Sequence, residues 1–282
     1  MAEDAHRHAS AAIASSLVGA RLGGEALPEF PGGALPRDLD TAYVCQDAAI
    51  ELWPDAIAGW KVGLIGGAEL AAAHGEDRVA GPIFARSVRR AAAGSRTPFP
   101  VFLGGFAAIE AEFVLELGRN APPGKTQWTV AEAFELVRAV HIGIETAGSP
   151  LATINELGPR AIVADFGNNA GLILGPELPG WRTRPIETWR CESFVDGVSV
   201  GRGAASLLPG GPFESLRFLL ARNARRSRPL HAGDLVSAGA VTGVHAIKAG
   251  QTARVVFEGG GEILCTAQPF AGAAAHPGGG AR

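Results

Sequence analysis

The sequence predicts an α+β fold in which short strands outnumber helices, and three observations carry that reading. The 282 residues include 39 glycines and 19 prolines, which favour many turns and short strands over a helical bundle. Apolar and polar residues alternate at 59–66, along Phe106–Leu117 and through the C-terminal third, as half-buried strands do. Helical spacing of apolar residues is confined to the N-terminal region and a few separate stretches.

Composition sets the outer bounds. With 47% hydrophobic residues the chain is long enough for one substantial core, and a net charge of −3 argues against nucleic acid or an anionic membrane as principal partner. Cys45, Cys191 and Cys265 lie far apart and match neither a zinc spacing nor a disulfide framework, so a reducing cytoplasm is expected. The first residues carry acids and histidines where a secretory leader is basic, and no apolar run approaches the roughly 18 residues of a membrane span.

In chain order, residues 5–22 place Ile13, Leu17 and Leu22 at near-helical spacing, which predicts a helix ending at Gly23 and Gly24. LPEFPGGALP excludes regular structure, and Asp40 then stands as the cap of a second helix, TAYVCQDAAIELW. GWKVGLIG at 59–66 reads as a strand with Trp60, Val62 and Leu64 on one face and Lys61 among glycines on the other. AELAAAHG reads as a short helix, GPIFARSV as a turn leading into a strand, and AAAGSRTPFP as a loop. Thr129 and Glu132 form a capping box for a helix that feeds HIGIE at 141–145. Further on, residues 165–169 make a polar bend, Asp196 and Gly197 turn a hairpin, and 212–225 form an amphipathic helix. DLVSAGAVTG reads as a strand and TARVVFEGGGEILCTA as a second hairpin. The chain divides into an N-terminal helical region, 1–58, packed on a core, 59–270, followed by a disordered tail, 271–282.

The candidates for chemistry are few. On the strand FAAIEAEFVLEL, Glu110 and Glu112 are two residues apart and share a face with Val114 and Glu116. Such a pair suits a hard divalent cation if a third carboxylate joins it, and it equally suits an ordinary solvated strand face. Glu145 is the third carboxylate to consider. Lys61 is either a residue that a ligand approaches between glycines or a charge protecting a sheet edge. Asp165, Asn168 and Asn169 read as turn formers. GxGxxG, Walker A, HExxH and GxSxG motifs are absent, and His74, His141, His231 and His245 offer no evident catalytic dyad.

Seven stretches in a fixed order carry a family resemblance: AYVCQ at 42–46, GWKVGL at 59–64, GPIF at 81–84, IEAEFVLEL at 109–117, IGIE at 142–145, VADFGNNAGLILG at 163–175 and LHAGDLVSAGAVTG at 230–243. Through them the chain resembles the fumarylacetoacetate hydrolase superfamily, and within it the 2-keto-4-pentenoate hydratase and 4-oxalocrotonate decarboxylase group. The resemblance implies a mixed, strongly curved β-sheet roll with peripheral and N-terminal helices. It implies that Glu110, Glu112 and Glu145 hold Mg²⁺ or Mn²⁺ and that Lys61 faces the substrate. Glu76 and Asp77 become candidates for a further acid or base, and Asn168, Asn169 and Thr242 for holding a substrate carboxylate or hydroxyl. Glu116, without a counterpart role, is assigned to solvent.

The activity so implied is hydration of a 2-hydroxy-2,4-dienoate to a 4-hydroxy-2-oxo acid in the catabolism of aromatic ring-cleavage products. Decarboxylation of a 4-oxalocrotonate-type diacid, C–C bond hydrolysis, and an inactive binding member are the alternatives. The expected partner is a small 2-oxo or 2-hydroxydienoate acid, in a homo-oligomer. Two departures from the usual pattern, Val79 and Phe166, fall near the expected substrate pocket.

Overall fold

The structure, a computed structural model, describes residues 2–66 and 76–270, with side chains from His8 onward. The elements in chain order are α1 (Ala2–Gly23), α2 (Leu39–Leu52), β1 (Ile57–Leu64), β2 (Arg78–Phe84), β3 (Val88–Arg90), β4 (Arg96–Val101) and β5 (Phe106–Leu117). After them come α3 (Val130–Leu136), β6 (Val137–Ser149), α4 (Ile154–Leu157), α5 (Pro159–Ala164), β7 (Asn169–Glu177), β8 (Arg190–Val195), β9 (Val198–Ala204) and α6 (Gly211–Arg225). The chain ends its regular structure with β10 (Leu235–Ser237), β11 (Val244–Ala246), β12 (Thr252–Phe257) and β13 (Gly261–Pro269). No helix among the described residues is long and apolar enough to cross a membrane.

Two sheets form. The larger runs β2-β1-β10-β5-β6-β7-β3 with β11 also on β5, and the smaller runs β4-β13-β12-β8-β9. The larger is mixed, since β1 and β10, and β7 and β3, pair in parallel while the pairs between β10, β5, β6 and β7 are antiparallel. It curls into a half-barrel whose two faces differ, because side chains alternate along each strand. Ile109, Ala111, Phe113 and Leu115 of β5 point outward into the main core, where Phe113 meets Trp189 and Phe257. The other face holds Glu110, Glu112, Val114 and Glu116, and Val114 belongs to a small separate apolar cluster with Ile83, Leu172, Leu174 and Leu235, in which Leu172 pairs opposite Glu145.

The helices share the core with the sheets. Ala14 and Val18 of α1 and Ala42 and Tyr43 of α2 belong to the same buried cluster as Trp60, Val62 and Phe113. Asp38, not Asp40, caps α2, accepting the Thr41 N–H at 2.8 Å, so the helix starts two residues earlier than the sequence pattern indicates. The Thr129 capping box is present, and Asp196 and Gly197 turn the β8–β9 hairpin with φ of 46° and 81°, the left-handed pair that a tight hairpin needs.

Three expectations are corrected. GPIF is not a turn: Gly81–Phe84 lie inside β2, an outer strand of the larger sheet where Pro82 is tolerated opposite Trp60. The end of AAAGSRTPFP is likewise strand β4, drawn straight by its parallel pairing with β13. Of DLVSAGAVTG only β10 is strand, paired with β5; the rest leaves regular strand geometry, with Gly239 at φ 118° and Gly243 at φ 97°, before β11 rejoins β5 at Val244. The helix read in AELAAAHG, His74 and the tail after 270 lie outside the described residues.

Candidate metal and substrate site

The antiparallel register of β5 and β6 places Glu110 directly opposite Glu145, and Glu112 opposite Gly143. Cross-strand partners share a face, so the third carboxylate arrives beside the first two. One oxygen from each of Glu110, Glu112 and Glu145 lies within 4.8 Å of the others. All three are buried, Glu112 and Glu145 at 0% exposure. A solvated acidic face is therefore excluded for these two strands at this level.

Lys61 completes the cluster from β1. That strand lies between β2 and β10, with Lys61 opposite Gly81 on one side and Ser237 on the other, so it does not guard an edge. Its Nζ is 3.4 Å from Glu145 Oε1. The glycines nearby make room: a Cβ at Gly81 would stand 2.0 Å from the Phe166 carbonyl oxygen, and one at Gly167 would stand 3.2 Å from Lys61 Cδ. The backbone of residues 166–168 thus lies against the lysine stem, with Phe166, Gly167 and Asn168 all at positive φ.

The charges do not balance within the cluster, since one ammonium faces three carboxyl groups. Burial, then the Glu145 charge, pushes Glu110 up to about 7, with Lys61 pulling the other way. Burial and the neighbouring Glu145 and Glu110 hold Glu112 well above the usual carboxylate range. At Lys61 burial disfavours the ammonium, but Glu145, Glu110 and Glu112 outweigh it and raise its pKa above the ordinary value. Glu112 Oε1 and Glu145 Oε2 are buried without a hydrogen-bond partner. Unpaired carboxylate oxygens cost free energy in a low-dielectric interior, and an all-oxygen donor set of this size fits a hard divalent cation.

The remaining carboxylate oxygens are positioned. Where the β10–β11 segment leaves the ladder, the Gly239 N–H donates to Glu112 Oε2 at 2.9 Å. Asn169 Nδ2 donates to Glu145 Oε1 at 3.0 Å and to the Gly171 carbonyl at 3.3 Å. Behind Asn169 stands a residue the sequence reading overlooked. Arg21 of α1, 3% exposed, donates from Nη1 to the Asn169 carbonyl at 2.8 Å, from Nη2 to the Gly148 carbonyl at 2.9 Å and from Nε to Asp165 Oδ1 at 2.5 Å. Asp165 also accepts the Ser149 hydroxyl at 2.5 Å, so it is an ion-pair partner as well as a turn residue. A signal was available, because Arg21 falls one helical turn after the buried Leu17 and Val18, on the face that packs inward.

Other candidates sit elsewhere. Glu76 pairs with Arg222 and, at 4.0 Å, with Arg225, while Asp77 pairs with Arg78; neither is among the groups around the three glutamates. Asn168 reaches Asn155 at 3.4 Å, with its own Oδ1 buried and unpartnered. The Thr242 hydroxyl bonds Ser193 at 2.8 Å and the His245 ring at 3.2 Å, which turns it toward the smaller sheet. Val79 is buried in the main core and Phe166 packs edge-on against Phe84 and Trp53. Glu116 is not left to solvent: it pairs with Arg138 and, at 3.1 Å, with His141. That makes one acid–histidine pair, but Val114, the residue opposite His141, is four residues from Glu110, roughly 13 Å down the strand at about 3.4 Å per residue.

The chain is similar to known proteins over most of its length. No protein-family model matches the chain. A 2-keto-4-pentenoate hydratase from Burkholderia vietnamiensis (strain G4) is 29% identical over 245 residues, spanning 84% of this chain and 87% of the relative. The protein of the same description from Paraburkholderia phymatum is 28% identical over 235 residues, 80% and 85% of the two chains. Among solved structures, 4-oxalocrotonate decarboxylase from Pseudomonas putida G7, complexed with magnesium and adipate, has a TM-score of 0.76 at 20% identity, covering 93% of this chain and 98% of that one. Fumarylpyruvate hydrolase from Pseudomonas aeruginosa, in complex with Mn²⁺ and pyruvate, has a TM-score of 0.55 at 21% identity over 75% and 89% of the two chains. With this curled sheet, the ordered motifs and relatives that match over most of their length, the chain is similar to proteins of the fumarylacetoacetate hydrolase superfamily.

Proposed function

We propose that this protein is a divalent-metal-dependent hydratase that converts a 2-hydroxy-2,4-dienoate into a 4-hydroxy-2-oxo acid. The observation that carries the reading is the convergence of Glu110, Glu112 and Glu145, with two buried carboxylate oxygens unpaired and Lys61 3.4 Å from one ligand. The two sequence relatives named as 2-keto-4-pentenoate hydratases support the choice of substrate class. Magnesium, calcium and manganese appear with the solved relatives, and Mg²⁺ or Mn²⁺ is proposed here.

Glu110, Glu112 and Glu145 would hold the cation, which supplies Lewis-acid stabilisation of negative charge developing on oxygens of a bound 2-oxo acid. Asn169 and the Gly239 N–H fix two of the three carboxylates, so that the ligand set is oriented before anything binds. Lys61, with Nζ 3.4 Å from Glu145, is placed to offset enolate charge as its ammonium and to carry the proton that tautomerisation delivers to carbon. Glu76 and Asp77 are tied to arginines, which leaves Lys61 as the proton carrier this reading relies on.

Decarboxylation of a 4-oxalocrotonate-type diacid is the second reading, favoured by the fold shared with the decarboxylase over 93% of the chain. One assay separates the two. With Mg²⁺ present, loss of the dienol absorbance of 2-hydroxypenta-2,4-dienoate without CO₂ release supports the hydratase. CO₂ released from a 2-oxo diacid, with no turnover of the dienoate, supports the decarboxylase. Absence of turnover on both substrates by protein that binds Mn²⁺ would sink the enzymatic reading.

A further inference from the structure

A cavity of about 210 Å³ is lined by five aromatic side chains, with the Arg21 guanidinium 5.7 Å from the Phe102 ring and 5.2 Å from the Phe166 ring. Trp53, Phe84 and Phe166 pack together among them, with ring centroids 5.0 to 5.4 Å apart. Phe102 and Phe270, stacked at 5.5 Å, line it with them. None of Lys61, Glu110, Glu112 and Glu145 lines this space, and Asn169, which bonds Glu145, stands between it and the glutamates' side as a shared wall residue. Its volume is below the roughly 300–1,000 Å³ of sites for drug-sized ligands, which limits an occupant to about one ring.

The lining charges are unequal in their engagement. Arg21 is saturated by Asp165 and backbone carbonyls. Asp55 accepts the backbone N–H groups of Ala56 and Arg86 and has the Arg86 Nε at 3.8 Å. Arg89 is half-buried and has no carboxylate partner among the described residues, only a 3.4 Å contact to the Ser87 carbonyl. Burial holds its pKa below the ordinary arginine value, the condition an anion would relieve. A guanidinium lining an aromatic cavity matches the planar fork of a carboxylate whose ring the aromatic side chains can cover.

We propose that this cavity is a second small-molecule site, separate from the three glutamates, that takes a planar one-ring aromatic carboxylate with its carboxylate on Arg89. Benzoate is the probe. Titrated into the full-length protein and followed by calorimetry and by tryptophan fluorescence, it should bind saturably. Benzamide, of the same shape but uncharged, should bind about tenfold more weakly, the loss expected for a charge-assisted hydrogen bond. Arg89→Gln should weaken benzoate by a similar factor, and Glu110→Gln should leave benzoate binding unchanged. No saturable binding, equal affinities for benzoate and benzamide, or displacement of benzoate by oxalate with Mg²⁺ would each overturn the proposal. The benzamide comparison is made on the unaltered protein and stands even if Arg89→Gln folds poorly.

Discussion

The two ends of one strand face show what distinguishes a site from a scaffold. At the upper end of the β5–β6 ladder, Glu110, Glu112 and Glu145 share a single cation, Lys61, and keep two oxygens unpaired. At the lower end, Glu116 has two basic partners, Arg138 and His141. The electrostatic outcomes are opposite. Burial and a neighbouring acid raise Glu110 to about 7, whereas at Glu116 burial is outweighed by hydrogen bonds from Arg138 and His141, which hold its pKa below the ordinary value. A carboxylate whose partners are all present has its charge accounted for; a cluster that lacks them has room for a cation to do the balancing.

The sharpest way to break this contrast is to remove a carboxylate from each end. Glu112→Gln should abolish measurable Mn²⁺ binding in a calorimetric titration and leave the circular dichroism spectrum intact, while Glu116→Gln should leave Mn²⁺ affinity unchanged. Equal effects at both ends would refute the assignment. Lys61→Met should lower turnover of the dienoate by about 10² to 10⁴, the range for loss of a positioned proton carrier, in protein that still binds Mn²⁺.

Next in size is the support behind the upper end. Arg21→Met leaves Asp165 buried without its cation and should cost about 3–5 kcal/mol in chemical denaturation. In the folded fraction it should also weaken Mn²⁺ by about 10- to 100-fold, because Asn169 no longer fixes Glu145. A stability loss with Mn²⁺ affinity unchanged would make Arg21 a purely structural residue.

The pH response should differ in sign between the two ends. Glu110 titrates near 7 in the folded protein against 4.5 ordinarily, so metal-free protein has its contribution in full below about 4.5 and loses it as pH rises toward 7. Glu116, held below 4.5, contributes above that value and loses its contribution as the pH falls. Thermal melts of metal-free protein should therefore show a downward slope from pH 4.5 to 7 that Glu110→Gln flattens, and Mg²⁺ should raise the melting temperature more at pH 8 than at pH 5. The smallest effect belongs to the exposed partner of the lower end: Arg138→Ala should change stability by about 1 kcal/mol or less and Mn²⁺ affinity not at all.

Much of this was legible in the sequence, and for local reasons. Alternation on β5 separates Glu110 and Glu112 from Ile109 and Phe113 wherever the strand pairs, so the face they share follows from the chain alone. The capping box at Thr129 and the turn at Asp196 and Gly197 depend on neighbours a few residues away and formed as read. The misread segments fail for the complementary reason. GPIF and TPFP contain residues that favour turns, and they are strands only because β1 and β13 pair with them. DLVSAGAVTG reads as a strand, yet only Leu235–Ser237 of it pairs as one, and the next strand on β5 begins after it, at Val244.

The sequence by itself determined which residues carry charge on which face, where helices begin and where hairpins turn, because those choices rest on periods of two and 3.6 residues and on single-residue conformational preferences. Only the tertiary structure decided that Glu145 stands opposite Glu110, that Lys61 lies inside the sheet, that Arg21 braces Asn169 from a helix 148 residues away, and that Glu116 has partners of its own. Those facts depend on strand register and on the curl that brings distant segments together, and neither is encoded in any short window of the chain.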